Sequence, residues 1–140
     1  MRTRILLFVL ILTAVQALAQ QGVNPTQNKI KWVASSFTDL TSNSAVGKSA
    51  VFITDILGGK VRWIQKNGSL TYTLTISGIV GAWNNIENDG TATFNLNWEG
   101  KSGVLNATRK NGSLYLTLDI NPSGKDRIYL RYDVSNYEVN

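Results

Sequence analysis

Residues 61–76 read Val-Arg-Trp-Ile-Gln-Lys-Asn-Gly-Ser-Leu-Thr-Tyr-Thr-Leu-Thr-Ile, and their pattern decides the fold. Asn67-Gly68 at the centre is the dipeptide that tolerates positive φ at both central positions of a type I′ turn. That turn sets Gln65 opposite Leu70, Trp63 opposite Tyr72 and Val61 opposite Leu74. Directly opposed residues share one face of a hairpin. One face then carries Val61, Trp63, Leu70, Tyr72, Leu74 and Ile76, and the other carries Arg62, Ile64, Thr71, Thr73 and Thr75. Alternation with a period of two marks strands buried on one side.

The same logic extends in both directions. Gly58-Gly59 predicts a hairpin with Thr54 against Trp63, Phe52 against Gln65, and an exposed Asp55–Arg62 ion pair. Asn111-Gly112 sets Leu114, Leu116, Leu118 and Ile120 against Arg109, Ala107, Leu105 and Gly103. A turn at Gly100-Lys101 sets Trp98 against Gly103 and Leu96 against Leu105. Residues 29–34 and 127–134 supply a first and a last strand. The full set is 29–34, 49–57, 60–66, 69–77, 91–98, 102–110, 113–120 and 127–134. The fold class is all-β: an eight-stranded antiparallel up-and-down meander. Closure into a small β-barrel would remove both sheet edges; a two-sheet β-sandwich is the alternative.

The N-terminus has the pattern of a secretory signal. Arg2 and Arg4 precede an apolar run over 5–15, and Ala17-Leu18-Ala19 is a small-residue cleavage site. The expected organisation is a signal peptide at 1–19, a flexible mature N-terminus at 20–28 and one all-β domain at 29–140. The expected location is periplasmic or secreted. With no cysteine there is no disulfide framework, and a domain of roughly 120 residues buries enough core without one. The formal charge of +5 includes Arg2 and Arg4; subtracting them leaves +3. The remaining basic residues are scattered, which is no nucleic-acid footprint. An outer-membrane barrel would turn the apolar face to lipid, but these strands run six to nine residues, short of the roughly nine to eleven that such strands need.

The chain has no histidine and no cysteine. Histidine-based triads, thiol catalysis and ordinary zinc or haem sites are thereby excluded. Glu87, Asp89 and Glu99 form the best carboxylate cluster, but two of them precede glycine in turn dipeptides. No cofactor or metal is expected, and no enzymatic activity.

The apolar face is rich in aromatics, among them Trp32, Trp63, Tyr72 and Trp98. Two readings stand side by side: a packed core, or a pocket whose Tyr and Trp polar atoms orient a small ligand. Arg109 falls on that face beside Leu114. It either stacks over Trp32 and closes the end where the first strand begins or snorkels out at the strand end. Trp83 lies in the connection 78–90 among Asn84, Asn85, Asn88 and Asp89. It is either a sugar platform or a plug beneath the barrel. The connection 35–48 reads as a lid or a disordered crossing.

The meander, a Trp in the first strand (Trp32) and an Arg closing that end (Arg109) resemble the calycin barrels, the lipocalins and avidins. Where lipocalins carry Gly two residues before that Trp, this chain has Ile30. The resemblance implies a cup for a small apolar molecule and no catalysis. Three functions therefore stand as expectations: an exported small-molecule binder, a protein-interaction or inhibitor module with a filled core, and a carbohydrate-binding sandwich using Trp83. The partner is a small molecule or a protein, with no nucleic acid and no membrane span once the signal is removed. N-terminal sequencing of the exported protein should read Gln20-Gln21-Gly22; an uncut Met1 would overturn the signal reading.

Overall fold

The structure, a computed structural model, describes residues 22–140. The signal segment and its cleavage site lie outside the described residues. The strands in chain order are β1 (Ile30–Asp39), β2 (Ser44–Val46), β3 (Ala50–Asp55), β4 (Lys60–Gln65), β5 (Leu70–Val80), β6 (Gly90–Trp98), β7 (Lys101–Lys110), β8 (Ser113–Ile120) and β9 (Ile128–Val139). From β3 onward each strand pairs antiparallel with the next, and β1 pairs with both β3 and β9. The sheet closes on itself as an eight-stranded barrel, with β2 as one extra strand. The β1–β9 ladder is what a two-sheet sandwich would lack, so that alternative falls away.

The apolar faces point inward as the alternation requires. Leu74 and Leu116 are fully buried, Leu96 is 2 % exposed and Trp63 4 %. Each large side chain buried to this degree contributes about 1.5–3 kcal/mol relative to exposure. Trp32, Phe52, Phe94, Leu105, Leu118 and Tyr132 complete the filling. Outward positions on β4 and β5 carry Arg62, Thr71, Thr73 and Thr75, so the exterior of this hairpin is polar. No helix among the described residues is long and apolar enough to cross a membrane.

Two hairpins have the expected register, although the first turns over residues 66–69, with Lys66, Asn67 and Gly68 all at positive φ, in place of the two-residue type I′ turn. Trp63 opposes Tyr72 and Val61 opposes Leu74; Gly103 opposes Ile120 and Arg109 opposes Leu114. Two others differ by two residues. Phe52 opposes Trp63 and Thr54 opposes Val61, because the turn spans 56–59 instead of Gly58-Gly59 alone. The Asp55 carboxylate accepts the Gly58 N–H at 2.9 Å, and the Gly59 N–H closes onto the Ile56 carbonyl at 3.2 Å. Asp55 pairs with Lys29 at 3.1 Å, not with Arg62. In the other hairpin the turn is Glu99-Gly100, with φ of 51° and 80°. That places Leu96, and not Trp98, opposite Gly103. A two-residue shift moves every contact but leaves every side chain on its face.

The first and last strands run five residues beyond the sequence-based bounds, to Asp39 and Val139. Three β-bulges make this possible. The ladders skip Ser35 on β1, Ser135 on β9 and Ser77 on β5. The Ser135 hydroxyl donates to the Val33 carbonyl at 3.1 Å and the Ser77 hydroxyl to the Asn95 carbonyl at 3.3 Å. Each bulge switches the inward phase, so inward positions are spaced by three: Ala34 then Phe37, Ile76 then Ile79, Val134 then Tyr137. The connection 35–48, read as a lid or a disordered crossing, is instead the end of β1 and the β2 hairpin, with Phe37 opposite Val46.

Large residues need small neighbours in so narrow an interior. A Cβ on Gly103 would lie 2.5 Å from Ile120 Cδ1 and 2.6 Å from the Asp119 carbonyl oxygen. Gly103→Ala is expected to lower stability by about 1–3 kcal/mol. Gly47→Ala, with nothing within 4 Å of the added carbon, should stay within about 0.5 kcal/mol of the parent. Urea denaturation checks both, and equal midpoints for the two variants would refute the close fit at Gly103.

Candidate functional site

Alternating turns define two ends of the barrel. The base holds the 56–59 turn, the connection 81–89 and the Asn111-Gly112 turn. The mouth holds the 40–43, 66–69, 99–100 and 121–127 connections.

The base is closed. Residues 23–28, expected to be flexible, form a turn in which the Asn24 side chain accepts the Thr26 N–H at 2.9 Å and Val23 packs on the core. The Val23 carbonyl accepts the Ile86 N–H at 2.8 Å, joining this turn to the connection 81–89. From that connection Trp83, 3 % exposed, and Ile86, fully buried, fill the opening. Trp83 Nε1 donates to the Asn88 carbonyl at 2.9 Å. A Cβ on Gly90 would lie 2.2 Å from Trp83 Cδ1, so the indole fits only against glycine. Trp83 is therefore the plug and presents no ring face of the kind a sugar platform needs.

Arg109 also serves the base, by a different contact from the one expected. Its Nε donates to the Ile86 carbonyl at 2.5 Å and its Nη1 to the Gly112 carbonyl at 3.4 Å. It fastens the plug to the barrel and does not stack on Trp32. Among the described residues, the guanidiniums over rings are Arg127 on Tyr129 and Arg131 on Tyr115. Trp32 is fully buried and its Nε1 donates to Thr54 Oγ1 at 3.1 Å. The carboxylate cluster is dispersed as well. Glu87 accepts the Tyr137 hydroxyl, Asp89 accepts the Asn111 N–H at 3.2 Å, and Glu99 sits in a turn at the mouth. No metal-binding group of three acidic, His or Cys side chains occurs among the described residues.

The mouth is different. A chain of packed rings runs toward it from the interior: Phe52 to Tyr132 at 4.9 Å, Tyr132 to Phe37 at 5.3 Å, Trp63 to Tyr72 at 5.1 Å and Tyr72 to Trp98 at 5.3 Å. Trp63, Tyr72 and Trp98 thus come together as the sequence suggested, while Trp32, Trp83 and Arg109 belong to the other end. Between the 47–49 loop and the 65–67 segment the mouth is notched by a cavity of about 450 Å³. Phe37, Ala50 and Tyr132 give it an apolar floor, and Lys48, Gln65 and Lys66 are on its rim.

Two polar atoms here are unusual. Trp63 Nε1 is the buried side-chain donor that has no hydrogen-bond acceptor among the described residues. The Tyr132 hydroxyl stands near it without the geometry of a full bond. Burial raises the Tyr132 phenol far above its ordinary range, and the Trp63 N–H offsets part of that rise. At the base, burial first and the Glu87 carboxylate second push the Tyr137 phenol up to about 12.

Phe37, Ala50, Lys48 and Lys66 were not singled out from sequence. The signal for Phe37 is the apolar–Ser–x–apolar spacing at 34–37, which recurs at 76–79 and 134–137. Nothing local marks the break between β2 and β3 that opens the notch.

The geometry defines a closed eight-stranded antiparallel β-barrel, an architecture consistent with that of the calycins, plugged at one end and notched at the other. No protein-family model matches the chain, and no curated protein or solved structure matches it.

The two raised phenols set a pH dependence. Each is held neutral by the fold, so the stability it confers is complete below the unfolded phenol's pKa near 10 and is lost as pH climbs through the higher folded value. For Tyr137 that window is 10 to about 12. Absorbance at 295 nm should show late phenolate components, the latest disappearing in Tyr132→Phe. Ionisation of Tyr132 near pH 10 in the folded protein would contradict its burial.

Proposed function

We propose that this protein is an exported, non-enzymatic binding protein that holds a small, largely apolar molecule at the notched mouth of its barrel. The observation that carries the reading is the cavity of about 450 Å³ floored by Phe37, Ala50 and Tyr132. That size lies within the range of small-molecule sites, which combine an apolar lining with a few polar groups. The deep interior supports no cup, because Trp32, Phe52, Phe94 and Leu105 are fully buried within it. On this reading the ligand sits at the rim and not inside the barrel as the sequence suggested. The continuous ring network beneath Tyr132 gives a ligand a stiff floor, and stiff floors lower the ordering cost of binding. Export rests on the signal pattern at 1–19.

A second reading has its own support. The exterior of β8 and β9 presents Arg131 over Tyr115 and Arg127 over Tyr129, at 3.9 and 4.2 Å. Arg and Tyr are enriched at protein interfaces, and a filled core suits an interaction module.

Native mass spectrometry of the protein purified from its own host separates the two. The mouth reading expects a copurifying small molecule, or uptake of N-phenyl-1-naphthylamine, which is lost in Ala50→Phe because the added ring fills the floor. Uptake that persists unchanged in Ala50→Phe, or no uptake of either kind, overturns it. Capture of a protein partner sensitive to Tyr115→Ala would favour the second reading.

A further inference from the structure

Resting on the mouth reading, we propose that the bound molecule is an acid: an apolar or aromatic body bearing a carboxylate, sulfonate or phosphate, held between Lys48 on one lip of the notch and Lys66 on the other. The cavity lining holds these two lysines and no aspartate or glutamate. Lys29, Lys31 and Lys101 each pair with a carboxylate. Lys48 and Lys66 have no such partner among the described residues; Lys60, Lys110 and Lys125 share that, but only Lys48 and Lys66 line the notch. Two uncompensated cations over an apolar floor favour a ligand with one charged end and one greasy end.

The chain contains an internal control. Lys66-Asn67-Gly68-Ser69-Leu70 and Lys110-Asn111-Gly112-Ser113-Leu114 are the same five residues. In the second copy Lys110 pairs with Ser113 in the strand ladder, and positive φ is confined to Asn111 and Gly112. In the first copy Lys66 itself is left-handed, at φ 49°, followed by Asn67 at 53° and Gly68 at 92°. The sequence does not demand this conformation, since its twin avoids it. A lysine pays a steric penalty there. The strained copy is the one that lines the notch.

The test uses two probes with the same rings, one anionic and one neutral: 8-anilinonaphthalene-1-sulfonate and N-phenyl-1-naphthylamine, titrated by fluorescence against the full mature chain. The sulfonate should bind about tenfold more tightly at low salt, the effect of two cations at a solvent-exposed site. The gap should shrink as salt rises. Lys48→Met/Lys66→Met should abolish the gap by weakening the sulfonate about tenfold more than it changes the neutral probe. Lys110→Met/Lys125→Met removes the same charge elsewhere and should preserve the gap. Equal affinities for the two probes, or an equal loss in both double variants, overturns the acid while leaving the mouth reading intact. Failure of both probes to bind overturns the mouth reading itself.

Discussion

The ladder between β1 and β9 runs from Ile30 opposite Val139 to Asp39 opposite Leu130 and contains two register shifts. Without it the meander would have two open edges, each a row of unpaired backbone donors and acceptors. Its irregularities matter as much as its bonds. By skipping Ser35 and Ser135 the two strands reverse which of their residues face inward. A regular ladder would aim Phe37 and Tyr137 at solvent. The shifted one puts Phe37 under the notch and Tyr137 against Glu87 in the plug. One device of backbone pairing thus shapes both ends of the barrel.

The two ends are finished by opposite means. At the base, polar atoms find partners: Arg109 with the Ile86 carbonyl, Trp83 with the Asn88 carbonyl, Val23 with the Ile86 amide. Buried groups satisfied in this way hold the plug in one arrangement. At the mouth, Lys48 and Lys66 lack carboxylate partners among the described residues, as Lys60 and Lys110 do at the base, and the Trp63 indole N–H has no full hydrogen bond. A buried donor without a full bond lowers stability; the Trp63 N–H is turned toward the Tyr132 hydroxyl in the ring network and does not line the notch. The left-handed Lys66 does line it.

How much of this was legible follows the physics of the turns. Asn67-Gly68 and Asn111-Gly112 specify positive φ at two adjacent positions, and their hairpins have the register they encode. Glu99 adopts φ 51° with no preference in its residue type to announce it. The 56–59 turn is set by the Asp55 side chain capturing Gly58, a contact that competes invisibly with the Gly-Gly dipeptide. Both errors are of two residues, which is why the buried set survived them. The candidate site fared worse. Trp63, Tyr72 and Trp98 were placed on the inward face because alternation reveals a face, but none of the three lines the notch, since alternation does not say at what height along the barrel a residue sits. Trp83 is the plug that was one of its two readings, whereas Arg109 was placed on the correct element and given the wrong contact, since its partners are main-chain carbonyls. The notch arises where β2 and β3, both alongside β1, are interrupted by Gly47, Lys48 and Ser49, and no residue there demands such a break.

The order in which the chain assembles is constrained by the same closure. From β3 to β9 each pairing joins neighbours in sequence, and such contacts form early at small entropic cost. The final seam joins residues as far apart as Ile30 and Val139, 109 positions along the chain. Its loop-closure penalty is the largest in the molecule. The curled sheet therefore spends its slowest step with β1 and β9 still unmatched, exposing two strand edges that invite another copy of itself. For this barrel the hazard of aggregation is concentrated in the moment before the termini meet, and it ends when they do.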